Sequence, residues 1–227
     1  YSNTITTQLP VTNQKASGRC WGFAGLNLLR LGIVKKYNLT NFEFSQNYFM
    51  FWDKLEKSNY FLESILRTLE SESDSRIMMH LLKDPVQDGG QWDMFVNLIE
   101  KYGLVPQSVM PETNHSSKSG MMNYFLKNKL REFAYMLRKS NKNKITKLRI
   151  QKEKMMQEIY SLLSMFLGNP PEYFDWSIKD KNNKFSRFNK IEPIIFYRKF
   201  VNIKLKDKLC LIHAPMSNKE MNSLYTV

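Results

Sequence analysis

The sequence predicts an α+β fold that is mainly helical. Apolar residues recur with helical spacing in several long stretches between residues 20 and 167, and short β-like runs follow near the end of the chain. Of the 227 residues, 42% are hydrophobic and 13% aromatic, which suffices for a sizeable core in one large domain or two small ones. No stretch approaches the roughly 18 to 20 apolar residues that a membrane-spanning helix needs.

The first predicted elements surround residue 20. Residues 1–19 are predicted to be an extended lead-in, because Pro10 and β-favouring residues precede a small-residue turn at 16–18. From residue 20 to about residue 37 the chain is apolar on nearly every side. This pattern is typical of a buried central helix.

Further helices are predicted from the same spacing. Ser45 or Asn41 could cap a helix that carries the aromatic residues between 48 and 52. The other predicted helices cover residues 60–70, 75–83, 91–102, 121–139 and 145–167, with a loop over 104–120 and a break at Gly168. The β-like runs are at 194–197 and 209–212, and residues 224–227 resemble the beginning of a strand.

The net charge of +13 is confined to one part of the chain. Residues 127–208 hold 21 Lys and Arg against 8 Asp and Glu, whereas the rest of the chain holds 13 of each. This compositional boundary predicts an insertion with its own surface role. Non-specific nucleic-acid contact through residues 127–208 is one candidate role, because a basic surface attracts phosphate backbones. A solvated helical face is the plainer alternative.

The cysteine content and the first residues bear on the cellular compartment. Two cysteines in 227 residues exclude a disulfide framework, and the first residues lack the basic and apolar regions of a signal peptide. Together these observations favour a reducing, cytoplasmic setting. The missing initiator Met is compatible with a processed or excised piece. Because the two cysteines and three histidines form no ligand cluster, neither a metal nor another cofactor is expected.

Cys20 is the candidate nucleophile. It lies between turn residues and an apolar helix, and the free N–H groups in the first turn of a helix stabilise a thiolate. A tetrahedral intermediate also needs hydrogen-bond donors, for which the Cys20 N–H and the side-chain amide of Gln14 are candidates. The alternative is that Cys20 is a small buried hydrophobe, which is the commoner fate of a free cysteine.

The residues around Cys20 favour the nucleophile through a resemblance. The string from Gln14 to Cys20-Trp21, QKASGRCW, closely resembles the nucleophile segment of papain-like cysteine peptidases. More blocks match the bleomycin hydrolase family, which includes bacterial aminopeptidase C, in order along the chain: 43–46, 51–54, 88–94, 96–97, 100–103, 131–133, 167–172 and 223–227. The chain resembles the N-terminal half of that family.

The resemblance implies a papain-like architecture. Residues 1–126 would form the mostly helical left lobe with the nucleophile helix at about 20–37, and residues 127–208 the basic, mainly helical insertion of the family. Residues 209–227 would begin the barrel-side segment, so that the β-barrel lobe is incomplete in this chain.

The resemblance also implies the activity. It would be a cysteine-type aminopeptidase that cleaves peptides with a free N-terminus, hydrolyses the amide of bleomycin and assembles as a homo-hexamer around an internal channel. Gly89 and Gly90 would bind the main chain of the substrate, since glycine permits close approach of an extended peptide. By itself the local pattern fits an ordinary turn before the helix at 91–102 equally well.

The three histidines do not supply the expected base. His80 lies on an apolar helix, where a packing or edge position is expected and not a catalytic one, and His115 lies in a polar loop, where it should be solvated. His213 lies in the segment Leu-Ile-His-Ala-Pro, which resembles the family's base segment. In the family an Asn-Ser-Trp-Gly segment should follow the base, but the last 14 residues do not contain it.

We therefore expect the catalytic His and its orienting Asn to lie beyond these 227 residues, and the chain alone to be inactive. The other interpretation is an inactive N-terminal fragment whose basic insertion binds nucleic acid non-specifically or serves assembly.

Overall fold

The described chain is mainly helical, in the order that the sequence predicts. The computed structural model describes residues 8–140, 144–201, 203–205 and 216–223. Its helices are α1 (Cys20–Lys36), α2 (Gln46–Arg67), α3 (Arg76–Lys83), α4 (Trp92–Tyr102), α5 (Asn114–Ser117), α6 (Gly120–Lys139), α7 (Ile145–Leu167) and α8 (Pro193–Ile195), which continues as a π-helix (Phe196–Val201). Strands β1 (Phe174–Lys179) and β2 (Phe185–Ile191) form an antiparallel hairpin. None of these helices is both long and apolar enough to cross a membrane.

Helix α1 is buried along most of its surface, as predicted. Leu29 and Ile33 are completely buried in the core between α2 and the end of the described chain. One face of the helix is exposed. It consists of Cys20, Ala24 and Leu28, which follow one another at intervals of four residues and therefore lie in a line along the helix. The exposed line begins at the candidate nucleophile.

Ser45 is the residue that caps α2. Its hydroxyl accepts a hydrogen bond from the Tyr48 N–H at 2.9 Å, which satisfies one of the free donors of the first turn. Asn41, the other predicted cap, instead accepts a hydrogen bond from the buried Arg30 guanidinium at 2.6 Å. The structure thus decides between the two caps that the sequence leaves open.

Helix α2 is longer than predicted and runs without a break to Arg67. The prediction of a separate helix over 60–70 is therefore wrong. The buried face of α2 continues through Phe61 and Ile65, so that apolar packing supports the helix beyond the polar residues in its middle.

Helices α6 and α7 pack against each other and against α2. Their buried residues recur with helical spacing: Leu126, Leu130, Phe133 and Leu137 on α6, and Leu148, Met155, Ile159 and Leu163 on α7. The predicted helices at 121–139 and 145–167 are confirmed to within one residue. The predicted boundary at residue 127 lies inside α6, and this division into domains stays a prediction.

The structure after α7 differs from the prediction. The hairpin of β1 and β2 is not predicted. The prediction of a β-like segment at 194–197 is wrong, because these residues are helical. Pro193 occupies the first turn of α8, where a missing N–H costs nothing. Phe196 and Phe200 are buried one turn apart, which matches helical and not strand periodicity. The predicted runs at 209–212 and 224–227 lie outside the described residues.

Candidate active site

Cys20 is the first residue of α1, and its side chain is exposed. The exposure argues against the alternative of a small buried hydrophobe. The first turn of α1 contains no acidic residue, so the positive end of the helix dipole is not compensated there. In residues 8–140 and the other described ranges, no hydrogen bond to the Cys20 thiol is found.

The loop before Cys20 is held by a buried guanidinium. The Arg19 guanidinium donates to both carboxylate oxygens of Glu112, at 2.9 and 2.7 Å, and to the Ser17 hydroxyl at 2.8 Å. Ser17 in turn donates to the Gln14 carbonyl oxygen at 2.5 Å. Two parallel charge-assisted bonds fix direction as well as distance, so this chain of contacts fixes the loop between Gln14 and Cys20.

The side chain of Gln14 has one polar atom that the fold leaves without a partner. Its amide oxygen Oε1 is buried and has no hydrogen-bond partner among the described residues. A buried amide oxygen without a partner costs roughly 1–3 kcal/mol, and a functional role is one explanation for such a group. The structure places Gln14 on the same short loop as Cys20, while its role as oxyanion donor stays a prediction.

The backbone at Gly89 and Gly90 lies beside the nucleophile segment. A Cβ atom at Gly90 would lie 2.7 Å from the ring of Trp21, the residue after Cys20. Gly89 has a φ of +85° with open space around it, a conformation that glycine adopts without strain. Gly90 is exposed, and within the described chain neither its N–H nor its C=O forms a hydrogen bond. An exposed backbone with both polar groups free can pair with an extended peptide.

A cluster of charged residues, three of them on α2 and one in the segment before α4, lies next to this backbone, and no sequence pattern predicts it. We call Asp53, Lys54, Lys57 and Asp88 the α2 charge cluster. Lys57 lies 2.9 Å from Asp53, and Lys54 lies 2.8 Å from Asp88. Burial raises the pKa of the Asp53 carboxyl, against the opposing effect of Lys57 and Lys54. Burial also lowers the pKa of Lys57, which Asp53 opposes.

The charge cluster borders a cavity of about 500 Å³ between α2, α3 and α4. Lys57 and Phe61 line it from α2, His80 from α3, and Met94 and Lys101 from α4. His80 is exposed at this cavity, so that of the two expected positions, packing and edge, it has the edge position.

His115 differs from its prediction. It lies in the short helix α5 and packs edge-on against Phe166, with 4.7 Å between ring centroids. The expected loop is therefore wrong at this residue, and the imidazole is only partly exposed, because the aromatic ring of Phe166 on α7 covers one side of it. His213 lies outside the described residues. The source of a catalytic base stays a prediction.

Known proteins resemble this chain in sequence and in fold. Aminopeptidase C from Listeria innocua is 49% identical over 217 residues, which are 96% of this chain and 49% of the relative. Bleomycin hydrolase from Oryctolagus cuniculus is 44% identical over 224 residues, which are 96% of this chain and 81% of that relative. Among solved structures, PepW from Lactobacillus rhamnosis has a TM-score of 0.83 at 46% identity and covers 90% of this chain and 47% of its own.

These comparisons confirm the resemblance and the papain-like fold class. The chain spans about half the length of the Listeria relative and of PepW, which agrees with a helical lobe and an incomplete β region. The Peptidase C1-like family matches residues 1–227. The chain therefore belongs to the Peptidase C1-like family.

Proposed function

We propose that this chain is the nucleophile-bearing part of a cysteine-type aminopeptidase that acts on peptides with a free N-terminus. The relatives named aminopeptidase C and bleomycin hydrolase support this activity, and the second name extends the proposal to the amide of bleomycin. The observation that carries the proposal is the exposed Cys20 at the start of α1 beside the exposed backbone of Gly90.

The proposed reaction begins with attack of the Cys20 thiolate on the carbonyl carbon of the bound peptide. The carbonyl oxygen becomes an oxyanion, which accepts hydrogen bonds from the Cys20 N–H and the Gln14 side-chain amide. The carbon–nitrogen bond then breaks, and the leaving amine takes a proton from a histidine imidazolium. Water adds to the resulting thioester with the imidazole as base, and the free thiolate and the carboxylic acid product are released.

We place the histidine, with its orienting asparagine, in sequence beyond the 227 residues. The relatives of about twice this length support such a second part. The exposed line of Cys20, Ala24 and Leu28 on α1 would face it, since Leu28 is 53% exposed on a helix that is otherwise mostly buried. Residues 1–126, 127–208 and 209–227 then form the helical lobe, the insertion and the start of the barrel side.

The test is a chimera that joins this chain at residue 227 to the remaining half of Listeria innocua aminopeptidase C. The chimera should hydrolyse an aminoacyl reporter amide, and Cys20→Ser should abolish the activity. Gln14→Ala should lower kcat by about 10²–10³, as loss of one oxyanion donor does. The 227-residue chain alone should be inactive.

Two results would contradict this proposal. Activity of the chain alone that Cys20→Ser removes would show that the base lies within it. If the folded chimera stays active after Cys20→Ser, Cys20 is not the nucleophile. Ser164→Ala serves as a matched control, since this hydroxyl on α7 is buried without a partner and should be replaceable without loss of activity.

The homo-hexamer belongs to the same proposal. Exposed aromatic residues on neighbouring helices support self-association: Tyr124 and Phe125 on α6 are 62% and 49% exposed, and the Phe125 ring lies 6.1 Å from that of Phe166 on α7. Light scattering of the chimera should give a mass near six subunits, and Tyr124→Asp with Phe125→Asp should lower it. A monomeric chimera at micromolar concentration would contradict this assembly.

We also propose a cytoplasmic location, supported by the free thiol of Cys20.

Non-specific nucleic-acid binding through residues 127–208 is the second candidate function. Exposed lysines on α7 and on the hairpin support it, among them Lys147, Lys154, Lys181 and Lys184. Binding to a mixed-sequence DNA duplex should weaken steeply as salt rises, and replacing these lysines by Glu should lower the steepness. If the chain does not bind the duplex even at low salt, nucleic-acid binding is excluded, and the basic residues form only a solvated surface.

A further inference from the structure

We propose that the α2 charge cluster positions the Gly89-Gly90 backbone for peptide binding next to Cys20. Lys57 is the central positioning residue, because it contacts both its buried partner Asp53 and the Gly89 carbonyl oxygen. The inference rests on the proposed function of this site as a peptidase, and it assigns a role to side chains that do not themselves touch the substrate.

The hydrogen bond from Lys57 sets the direction of the Gly90 N–H. The Lys57 ammonium donates to the Gly89 carbonyl oxygen at 2.7 Å. In a trans peptide unit the C=O and the following N–H point in opposite directions. Since the Gly89 oxygen is directed towards Lys57 on α2, the Gly90 N–H is directed away from α2. Lys57 thereby leaves this donor available to a peptide.

The second ion pair of the cluster joins the same backbone to the nucleophile loop. Lys54 is 1% exposed and lies 2.8 Å from the Asp88 carboxylate. The other carboxylate oxygen of Asp88 lies so close to Gly18 that a Cβ atom on this glycine would be only 2.4 Å from it. Asp88 thus packs directly on the loop two residues before Cys20, and Lys54 fixes the side chain that makes this contact.

The ring of Trp21, the residue after Cys20, lies next to both Lys57 and Gly90. The Lys57 ammonium is 5.2 Å from the Trp21 ring centroid, within the range of a cation–π contact. The same ring is in contact with Gly90. A displacement of Lys57 would therefore affect the Gly89 oxygen and the residue after Cys20 together.

Buried ion pairs are an expensive way to stabilise a fold. Well-packed apolar residues of similar volume often stabilise a protein as much or more, so stability does not explain why α2 buries the side chains of Asp53 and Lys54. A hydrogen bond to a carbonyl oxygen, however, constrains the direction of that carbonyl, which apolar contacts do not. Direction is what a backbone that must present one N–H and one C=O requires.

The test compares alkylation of Cys20 by two electrophiles. The first is a dipeptide vinyl sulfone with a free amine, which needs the Gly89-Gly90 backbone for binding, and the second is iodoacetamide, which does not. In the first reaction the thiolate adds to the vinyl carbon and the carbanion takes a proton from water; in the second, the thiolate displaces iodide. Mass spectrometry of the Cys20 peptide gives both rates in the 227-residue chain, separately from Cys210.

Lys57→Met should lower the ratio of the two rates by about tenfold, which corresponds to about 1.4 kcal/mol. The rate with iodoacetamide should not change. Lys57→Arg retains the charge and a donor and should restore most of the ratio. Lys152→Met is the matched control, because Lys152 on α7 is as buried as Lys57 and also pairs with a carboxylate of α2, Glu63, at 2.5 Å, but it has no contact with the Gly89 backbone.

The outcomes distinguish a failure of the proposed function from a failure of the role assigned to Lys57. If the ratio for the unchanged chain equals that of the chain unfolded in urea, the site does not bind peptides, and the proposed function and this inference both fail. If the ratio is high but Lys57→Met preserves it, the inference is overturned while the proposed function stands. Should Lys57→Met fail to fold, Asp53→Asn with Lys57→Met removes both charges, and hydrogen exchange of residues 86–91 should still rise if Lys57 holds them.

Discussion

The two parts of the described chain use charged side chains differently. In the described ranges, the charged residues that are buried, Arg19, Arg30, Asp53 and Lys54, all precede α6. Helices α6 and α7 and the hairpin bury apolar side chains and keep their many Lys and Arg at the surface or in partly exposed ion pairs. The basic part of the chain therefore contributes an apolar scaffold, whereas the part around Cys20 contains directional polar contacts.

This difference teaches where geometry matters. Dispersion contacts depend on the separation of the atoms and not on their direction, so an apolar core does not orient a polar group. A hydrogen bond does, because the donor approaches a carbonyl or carboxylate oxygen near the plane of that group. The loop from Gln14 to Cys20 and the Gly89-Gly90 backbone are both fixed by contacts of the second kind.

The largest effect is expected from breaking the buried ion pair of the nucleophile loop. Arg19→Met should lower the free energy of unfolding by about 4 kcal/mol, because it removes both guanidinium hydrogen bonds from the partly buried Glu112 carboxylate and leaves it only the Ser116 hydroxyl. Urea unfolding measures the loss. Arg187→Met is the control, since its pair with Asp175 on the hairpin is exposed on both sides, and it should leave the unfolding curve unchanged. Equal losses would contradict the comparison of the two parts.

A smaller loss is expected from a cavity in the basic part. Leu163→Ala removes a completely buried side chain of α7 and should cost about 3 kcal/mol. The rate at which iodoacetamide alkylates Cys20 should stay the same, because α7 contributes scaffold and not site geometry. Met165→Ala, at a 75% exposed position of the same helix, should change neither quantity. A change in Cys20 reactivity with Leu163→Ala would show that the two parts are coupled.

The smallest effect is expected at the contact between the two parts, and it depends on pH. The hydrogen bond from Lys152, with Arg149 nearby, holds the pKa of Glu63 below its ordinary value of 4.5. Since the pKa is lower in the folded than in the unfolded chain, the ionised carboxylate stabilises the fold above pH 4.5, and this contribution is lost as the pH falls through the folded value.

Glu63→Gln should therefore cost about 0.5–1 kcal/mol at pH 7, as expected for a partly exposed pair. The same substitution should cost close to nothing at the acid end of the stability profile, where Glu63 is protonated in both states. Thermal unfolding of both chains across this pH range measures the difference. A cost that does not depend on pH would mean that Glu63 acts through packing and not through its charge.

Local patterns predict much of the fold and of the site. The helix that begins at Cys20 and the helix that ends before Gly103 follow from turn chemistry and helical spacing within a few residues. For the cap of α2 the same patterns leave Asn41 and Ser45 as candidates. The sequence also contains a signal for the first strand of the hairpin, because Phe174, Trp176 and Ile178 alternate with polar residues as in a half-buried strand. Residues 194–197 show why a short apolar run is ambiguous, since periodicity over four residues does not separate strand from helix.

The sequence by itself determined the nucleophile segment, the helical class of the chain and the position of its basic excess. These depend on residues close together in the chain, where spacing reports local structure directly. The tertiary structure decided that Cys20 is exposed and that Gly90 lies against Trp21. It also decided that Lys57 on α2 binds the Gly89 carbonyl. Contacts between residues far apart in the chain depend on how helices pack, and no spacing along the sequence contains that information.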